Sequence, residues 1–400
     1  MRIILCAGKG GVGKTSVAAA TGLESAERGL KTMVMSLDPA HSLSDVFDLD
    51  LSLMDKNKGQ PTAVGHNLWI QELDIHQEIG RNWGEVHRYF SILLNTTGID
   101  GILAEELAIL PGMEELIALL HINRYARDET YDLIVLDCAP TAESLRFVSL
   151  PKTLDWYMTK VFRLERQMAK FIRPVAKKVA DVPLPEDDYF ASIEQFYDRL
   201  RGVDRLLTDP QVTTARLVTQ PEKMILRETQ RAFMFFSLHE LTVDAVIINR
   251  VFPAGLEGDY LQGWRRQQEE YLDLARTFFQ PVPILEAPFY RTEVLGLDRL
   301  KKLGRHLYEK LNPADVFYAA RPYQFFRDNG RNSVKLHLPF ALKEEVDLTK
   351  IGDELIIKIG SFRRNVILPR TFASLEPGRA HLEDGSLIID FGGADEQSQG

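Results

Sequence analysis

Four hundred residues with 45% hydrophobic and 26% charged side chains suffice for two globular domains, and 48 basic against 57 acidic residues leave a net charge of −9. That sign argues against nucleic acid or anionic lipid as the main partner. No stretch reaches the apolar length of a membrane span. Residues Arg2-Ile3-Ile4-Leu5-Cys6-Ala7 run straight into glycines, without the basic and then apolar leader of a secretory signal. With two cysteines, Cys6 and Cys138, the expected location is the cytoplasm or an equivalent reducing organelle compartment.

In chain order, Ile3 to Ala7 reads as a short buried strand and Lys14 to Arg28 as a helix that Gly29 stops. Between them, Gly8-x-x-x-x-Gly13-Lys14-Thr15 is the strand, loop and helix of a P-loop. Glycines are needed there because backbone N–H groups must curl around phosphate oxygens with no Cβ in the way. Gly10, Gly11, Val12, Gly13, Lys14, Thr15 and Ser16 are therefore the candidate phosphate contacts. Lys14 reaches the β- and γ-phosphates, and the Thr15 hydroxyl is offered directly to Mg²⁺. A strand over Lys31 to Leu37 delivers Asp38 at its C-terminal end, followed by the polar loop Pro39 to Asp45 with one histidine, His41. His41 is either a proton shuttle or a packing residue of that loop. Tyr131 to Asp137 is a third apolar strand that ends in an aspartate. Two carboxylates at strand ends beside a phosphate loop divide the work: one orders metal waters, and the other orients the water that attacks the γ-phosphate.

GKGGVGKT, DPAHSLSD and DCAPTAESLRFVSLP resemble the deviant Walker A, switch I and switch II motifs of the arsenite-pump ATPase and tail-anchored-protein targeting family. PGMEELIALL, TQPEKMILRETQR, INRV and APFYRTEVLG extend the resemblance over roughly residues 1 to 310. It implies a homodimer in which Lys9 crosses the interface to touch the partner's nucleotide. It also implies that Asp38 positions the attacking water, that Asp137 stands near Mg²⁺, and that both aspartates reach the metal through water. Asn249 is similar to the adenine-contacting asparagine, and Pro288 and Phe289 to the loop that closes over the base. Asn249-Arg250-Val251-Phe252 lacks the aspartate that a guanine site uses, which favours ATP.

The chain departs from its relatives in having one P-loop where arsenite pumps have two. Its two cysteines cannot form a three-sulfur metalloid site in one subunit. It has no C-x-x-C, so the zinc that clamps the eukaryotic targeting dimers is not expected. From Leu154 to Val175, apolar side chains recur at helical spacing with Lys and Arg interleaved. That stretch is either a client groove, as in the targeting factors, or ordinary core or dimer contact. A second apolar stretch runs from Phe90 to Leu120. After Pro313 the texture changes to alternation at Ser333–Leu338, 355–359, 362–369 and 385–391, which indicates a small antiparallel sandwich. GDELIIKIGSFRRNVILP with AHLEDGSLIIDF resembles the α-crystallin domain of small heat-shock proteins.

The expected fold class is thus α/β. A mostly parallel P-loop NTPase sheet has helices on both faces and a helical insertion, with a small C-terminal antiparallel β-sandwich. Expected boundaries are an ATPase domain over 1–312, its helical subdomain at about 80–120 and 151–210, a linker over 313–332, the sandwich over 333–393 and a disordered tail over 394–400. Expected cofactors are ATP and Mg²⁺. Expected partners are a second copy and hydrophobic protein segments, with an unidentified membrane receptor and no nucleic acid. The alternatives are the energy-coupling subunit of an anion pump and a positioning or partition ATPase.

Overall fold

The computed structural model describes residues 1–37, 42–49, 59–73, 78, 113–138, 141–169, 187–255, 258–328 and 331–392. They fall into two compact units. The first comprises Met1–Cys6, Lys14–Leu207 and Glu293–Ala314, and the second Ala7–Gly13, Thr208–Thr292 and Asp315–Gly400.

The first unit is built on β1 (Arg2–Ala7), β2 (Thr32–Ser36), β3 (Thr62–Gly65), β4 (Leu68–Glu72) and β5 (Leu133–Asp137), adjacent in the order β3-β4-β2-β5-β1. All pairs are parallel except the β3–β4 edge. β1, β2 and β5 are buried at every position, as strands covered on both faces must be, which is why they read as continuous apolar runs. The helices are α1 (Lys14–Glu27), α2 (Ser42–Val46), α3 (Met113–Arg127), α4 (Thr141–Tyr157), α5 (Asp187–Leu200) and α6 (Val203–Thr208), with α9 (Leu297–Tyr308) returning to the unit from later in the chain. α1 lies hard against the sheet because its inward side is small: a Cβ on Gly22 would stand 2.2 Å from a Val34 methyl. α4 passes through one π-turn at Met158–Phe162 and stays helical to residue 169, where the periodicity predicts a helix. Phe162 and Phe190 pack edge to face at 5.7 Å and join this helix to α5.

The second unit carries parallel β6 (Thr213–Thr219), β7 (Val243–Val251) and β8 (Ile284–Pro288), with α7 (Lys223–Leu238) and α8 (Asp259–Phe279). The C-terminal residues form the expected antiparallel sandwich. One sheet has the order β14-β15-β10-β9 and the other β11-β12-β13. The strands are β9 (Tyr323–Asp328), β10 (Arg331–His337), β11 (Val346–Ile351), β12 (Glu354–Ile359), β13 (Phe362–Ile367), β14 (Pro377–Glu383) and β15 (Ser386–Phe391), with a single helical turn α10 (Arg370–Ala373) after β13. Val334, Leu336, Leu355, Ile357, Ile359, Leu387, Ile389 and Phe391 alternate inward as its core.

Two expectations need correction. The linker was expected to extend to residue 332, yet Tyr323–Asp328 is strand β9, paired antiparallel to β10 from Tyr323 opposite Leu336 to Asp328 opposite Arg331. The aromatics of that stretch serve the sandwich: Phe325 packs on Phe372 at 5.0 Å, and Phe372 on Phe391 at 5.3 Å. The sandwich therefore begins at Tyr323 and not at Ser333. The remaining linker is docked. Arg216 and Asp244 form a fully buried ion pair, Arg216 donates to the Asp315 carbonyl at 3.1 Å, and its guanidinium stacks 4.4 Å from the Phe317 ring centre. The second correction concerns β11 and β14, which the sequence reading did not anticipate. Most of residues 80–120, residues 170–186 and the tail 394–400 lie outside the described residues. Among the described residues, no helix is long and apolar enough to cross a membrane.

The sandwich core continues without a break onto Met234 and Leu238 of α7. Phe340 packs edge to face on both Phe233 and Phe279 at 5.8 Å, and Arg364 of β13 donates to His239 at 2.9 Å and to Glu240 at 3.0 Å. Leu238 is fully buried. Leu238→Ala should lower stability by about 2–5 kcal/mol, measured by urea unfolding of the full chain. A loss below about 0.5 kcal/mol would mean that the helix and sandwich do not share one core.

Candidate nucleotide site

In the first unit, Lys14 opens α1 and is nine-tenths buried, with Thr15 and Ser16 following in the first turn. The Thr15 hydroxyl lies 3.4 Å from that of Ser42, the first residue of α2. The Ser44 amide donates to the Glu72 carboxylate at 2.9 Å, which holds α2 by its N-terminal turn. Asp137 ends β5 and is buried, in register with Cys6 on one side and Ser36 on the other. The Leu37 amide donates to the Asp137 carbonyl at 2.8 Å, so the chain leaves β2 beside this aspartate on its way to residue 38. Asp38 and His41 themselves lie outside the described residues. A hydroxyl pair on two helix starts and a buried strand-end carboxylate are hard oxygen donors, which fits Mg²⁺.

In the second unit the loop Ala7–Gly13 is held by side chains from two strand ends. A Cβ on Gly8 would stand 2.2 Å from the Val218 carbonyl oxygen, and one on Gly13 2.4 Å from Asn249 Nδ2. Gly11 and Gly13 have φ of +80° and +94°, the region that glycine enters without strain. Asn249 donates through Nδ2 to the Val12 carbonyl at 2.8 Å, while its Oδ1 accepts from the Arg250 amide at 2.9 Å. Gln220 donates to the Gly11 carbonyl at 3.3 Å. Tying these two carbonyls to side chains keeps them from turning into the loop, where a phosphate requires N–H donors. Around Gly11 a Cβ would meet nothing within 4 Å, leaving room for a ligand beside the loop.

Lys9 is half exposed, with its ammonium 3.6 Å from the Glu228 carboxylate of α7. Pro288 ends β8, and the Phe289 amide donates to the Val251 carbonyl at 2.7 Å. The Phe289 ring is 48% exposed and meets Phe252 edge to face at 5.8 Å, so an apolar wall stands beside the Asn249 turn. Gln268 of α8 holds that turn, donating to the Arg250 carbonyl at 3.1 Å and accepting from the Phe252 amide at 2.9 Å. Burial raises the pKa of the neighbouring Tyr290 phenol above its ordinary value.

Within this unit the structure thus gathers Lys9, Gly10, Gly11, Val12, Gly13 and Asn249 around one loop, and Pro288 and Phe289 around the turn that follows Asn249. Four residues have no role in the sequence analysis: Gln220, Glu228 and Gln268, which frame these groups, and Ser42, which stands beside Thr15 in the first unit. Ser42 stood in DPAHSLSD, and Gln220 and Glu228 in TQPEKMILRETQR, so those motifs carried a signal; Gln268 had none. Gly13→Ala should disturb the loop and Asn249 together, because the added methyl falls on the amide that braces Val12. It is expected to lower nucleotide affinity at least 10-fold, read by titration with a fluorescent ATP analogue, while the unfolding free energy from urea titration falls by no more than about 3 kcal/mol.

Residues 1–309 match a family model described as "Anion-transporting ATPase", and residues 329–391 one described as "HSP20-like domain found in ArsA". The chain is 45% identical over 393 residues to "Putative arsenical pump-driving ATPase 1" of Aquifex aeolicus, covering 97% of this chain and 99% of that one. It is 38% identical over 397 residues to "Putative arsenical pump-driving ATPase" of Prosthecochloris vibrioformis, covering 98% and 96%. Against "ATPase GET3A" of Arabidopsis thaliana the identity is 27% over 318 residues, 78% of this chain and 85% of that one. The mostly parallel sheet with a P-loop, the sandwich and these matches lead to one conclusion: the chain belongs to the ArsA family of anion-transporting ATPases, in the form that carries a C-terminal HSP20-like domain, and it is an ATPase.

Proposed function

We propose that this ATPase binds ATP with Mg²⁺, closes as a homodimer over the nucleotide, and uses the cycle to switch a hydrophobic surface that holds apolar segments of other proteins. In this reading Gly10, Gly11, Val12, Gly13 and Ser16 give backbone donors to the phosphates, and Lys14 neutralises the β- and γ-oxygens. Thr15 binds Mg²⁺ directly, while Asp38 and Asp137 hold its waters. Asn249 uses its second amide hydrogen for adenine, and Pro288 and Phe289 cover the ring.

The observation that carries the client surface is on the helix over 141–169. Trp156, Leu164 and Met168 are 39%, 56% and 50% exposed there, on one face with Lys160 at four-residue steps. Large side chains left open beside a π-turn, a device found mostly at functional sites, suit an adaptable apolar grip. The test is fluorescence anisotropy of a labelled hydrophobic helix against full-length protein with ATP or ADP. Affinity should differ at least fivefold between the nucleotides and fall in Trp156→Glu. Equal affinity in both states would remove the coupling.

Energy coupling to an anion pump is the second reading, favoured by the names of two relatives. Against arsenite as the anion stand the thiols: Cys6 and Cys138 are both buried and occupy positions that alternate to opposite faces of the sheet. Arsenite-stimulated hydrolysis would restore that reading.

A further inference from the structure

Strand β4 ends in a buried acid. Glu72 is 6% exposed, a burial that glutamate reaches almost only with a partner. It stands in register with Ser36 of β2, and Ser36 with Asp137 of β5. Residues in register share a face, so Glu72 and Asp137 lie in one row at the C-terminal edge of the sheet, two strands and about 10 Å apart. The carboxylate is engaged within the fold: its Oε1 accepts from the Ser44 amide of α2 at 2.9 Å. A charged acceptor makes such a bond roughly twice as strong as a neutral one.

That bond has much to hold. α2 has five residues, Ser42–Val46, too few to keep a helix in water without tertiary support. Two residues before Ser44, the Ser42 hydroxyl lies 3.4 Å from that of Thr15. On the other side of Asp38 in sequence, the Leu37 amide donates to the Asp137 carbonyl at 2.8 Å. Leu37 and α2 are thus the two fixed points of the chain around Asp38. The end of β4 is itself secured from the opposite face of the sheet, to which the preceding residue points. Gln71, fully buried, donates to the Gly59 carbonyl at 2.8 Å and accepts from the Tyr125 phenol of α3 at 2.8 Å. Tyr125 in turn packs edge to face on Tyr131 at 5.1 Å. A side chain mounted on so firm a strand sets α2 and does not follow it.

We propose that Glu72 is a positioning residue for ATP hydrolysis: by holding the Ser44 amide it sets α2, so that Ser42 meets Thr15 and the chain after Asp38 has a fixed end. The inference rests on the reading of Thr15 and Asp38 given above. What the site requires of Glu72 is an acceptor at the right reach and not a negative charge, because its contact is an amide of the chain itself.

The test compares full-length wild type with Glu72→Gln, Glu72→Asp and Asp38→Asn, with thermal melts to verify folding. Glu72→Gln keeps the reach and gives up the charge, whereas Glu72→Asp keeps the charge and falls one methylene short of Ser44. Turnover of Glu72→Asp is expected at least about 10-fold below that of Glu72→Gln, while both bind ATP within about threefold of wild type. In the nucleotide-free protein, deuterium uptake by the peptide over residues 42–49 should quicken at least about fivefold in Glu72→Asp and stay near wild type in Glu72→Gln. A smaller gap in turnover, or the reverse order, overturns the anchor; the reverse order makes Glu72 a charge acting on the site. Should Glu72→Asp fail to fold, Ser42→Ala decides in its place: turnover at least about fivefold lower with ATP affinity intact supports the anchor, and anything less overturns it. Asp38→Asn keeps the two possible failures apart. If it is inactive while the Glu72 pair shows no gap, the anchor falls and the reading of Asp38 stands. If it turns over like wild type, that reading falls and the anchor with it.

Discussion

Asp38→Asn is expected to bind ATP within about threefold of wild type and to hydrolyse it about 10²–10⁴ times more slowly. The carboxylate is assigned to orienting the attacking water, so its amide analogue keeps the shape of the site while losing the proton acceptor. Binding is expected to survive because the phosphate grip resides elsewhere, in Lys14 and in a glycine loop braced by Asn249 and Gln220. Saturating-ATP turnover and an independent nucleotide titration separate the two quantities. Unchanged turnover would place the water-orienting group on another residue, and a comparable loss of binding would make Asp38 part of the grip.

The second large effect concerns the other loop lysine. Lys9→Ala should also bind ATP and fail to hydrolyse it, and mixing it with Asp38→Asn should restore activity at hybrid sites. Restoration would approach one quarter of wild type at equal mixing if only one composite site per mixed dimer works. Lys9 in this structure is paired with Glu228 of its own chain. Both groups are over one-third exposed, and such surface pairs contribute only about 0–1 kcal/mol. A triphosphate offered by a second subunit competes easily with that. The Glu228 pair is therefore only a small obstacle to turning Lys9 outward, whereas Lys14, nine-tenths buried in the first turn of α1, is assigned to its own nucleotide. Hybrids that form and remain inactive would return Lys9 to a loop residue acting within its own subunit.

The phosphate loop was legible because its signal is local: a strand, spaced glycines and a helix lie within one short run, and backbone geometry forces the residue types. β5 and β1 were legible for a similar reason, since parallel buried strands are apolar at every position. β11 and β14 were not, because neither alternates cleanly: β11 puts Lys350 on its covered face and Ile351 on its open one, and β14 starts with Pro377-Gly378-Arg379 and has no regular period of two. β9 was hidden by aromatics that suit a docked linker as well as a strand. At the site, Asn249 was named for a base contact, yet its bond to Val12 spans a separation of 237 residues and leaves no local pattern. Lys9 with Glu228, and Gln268 with the Arg250 turn, are the same kind of long-range pairing.

Helix α7 begins near one kind of chemistry and ends in another. Glu228, against Lys9, stands near its start, and Leu238, inside the sandwich core, closes it. Between those two residues a helix advances about 15 Å with little compliance. The ring contacts at Phe233 and the Arg364 bonds to His239 and Glu240 leave the far end no slack. In the proposed nucleotide cycle α7 would act as a connecting rod: a displacement at the lysine end would be delivered to the crystallin-like module, which would travel with the ATPase whether or not it grips anything of its own.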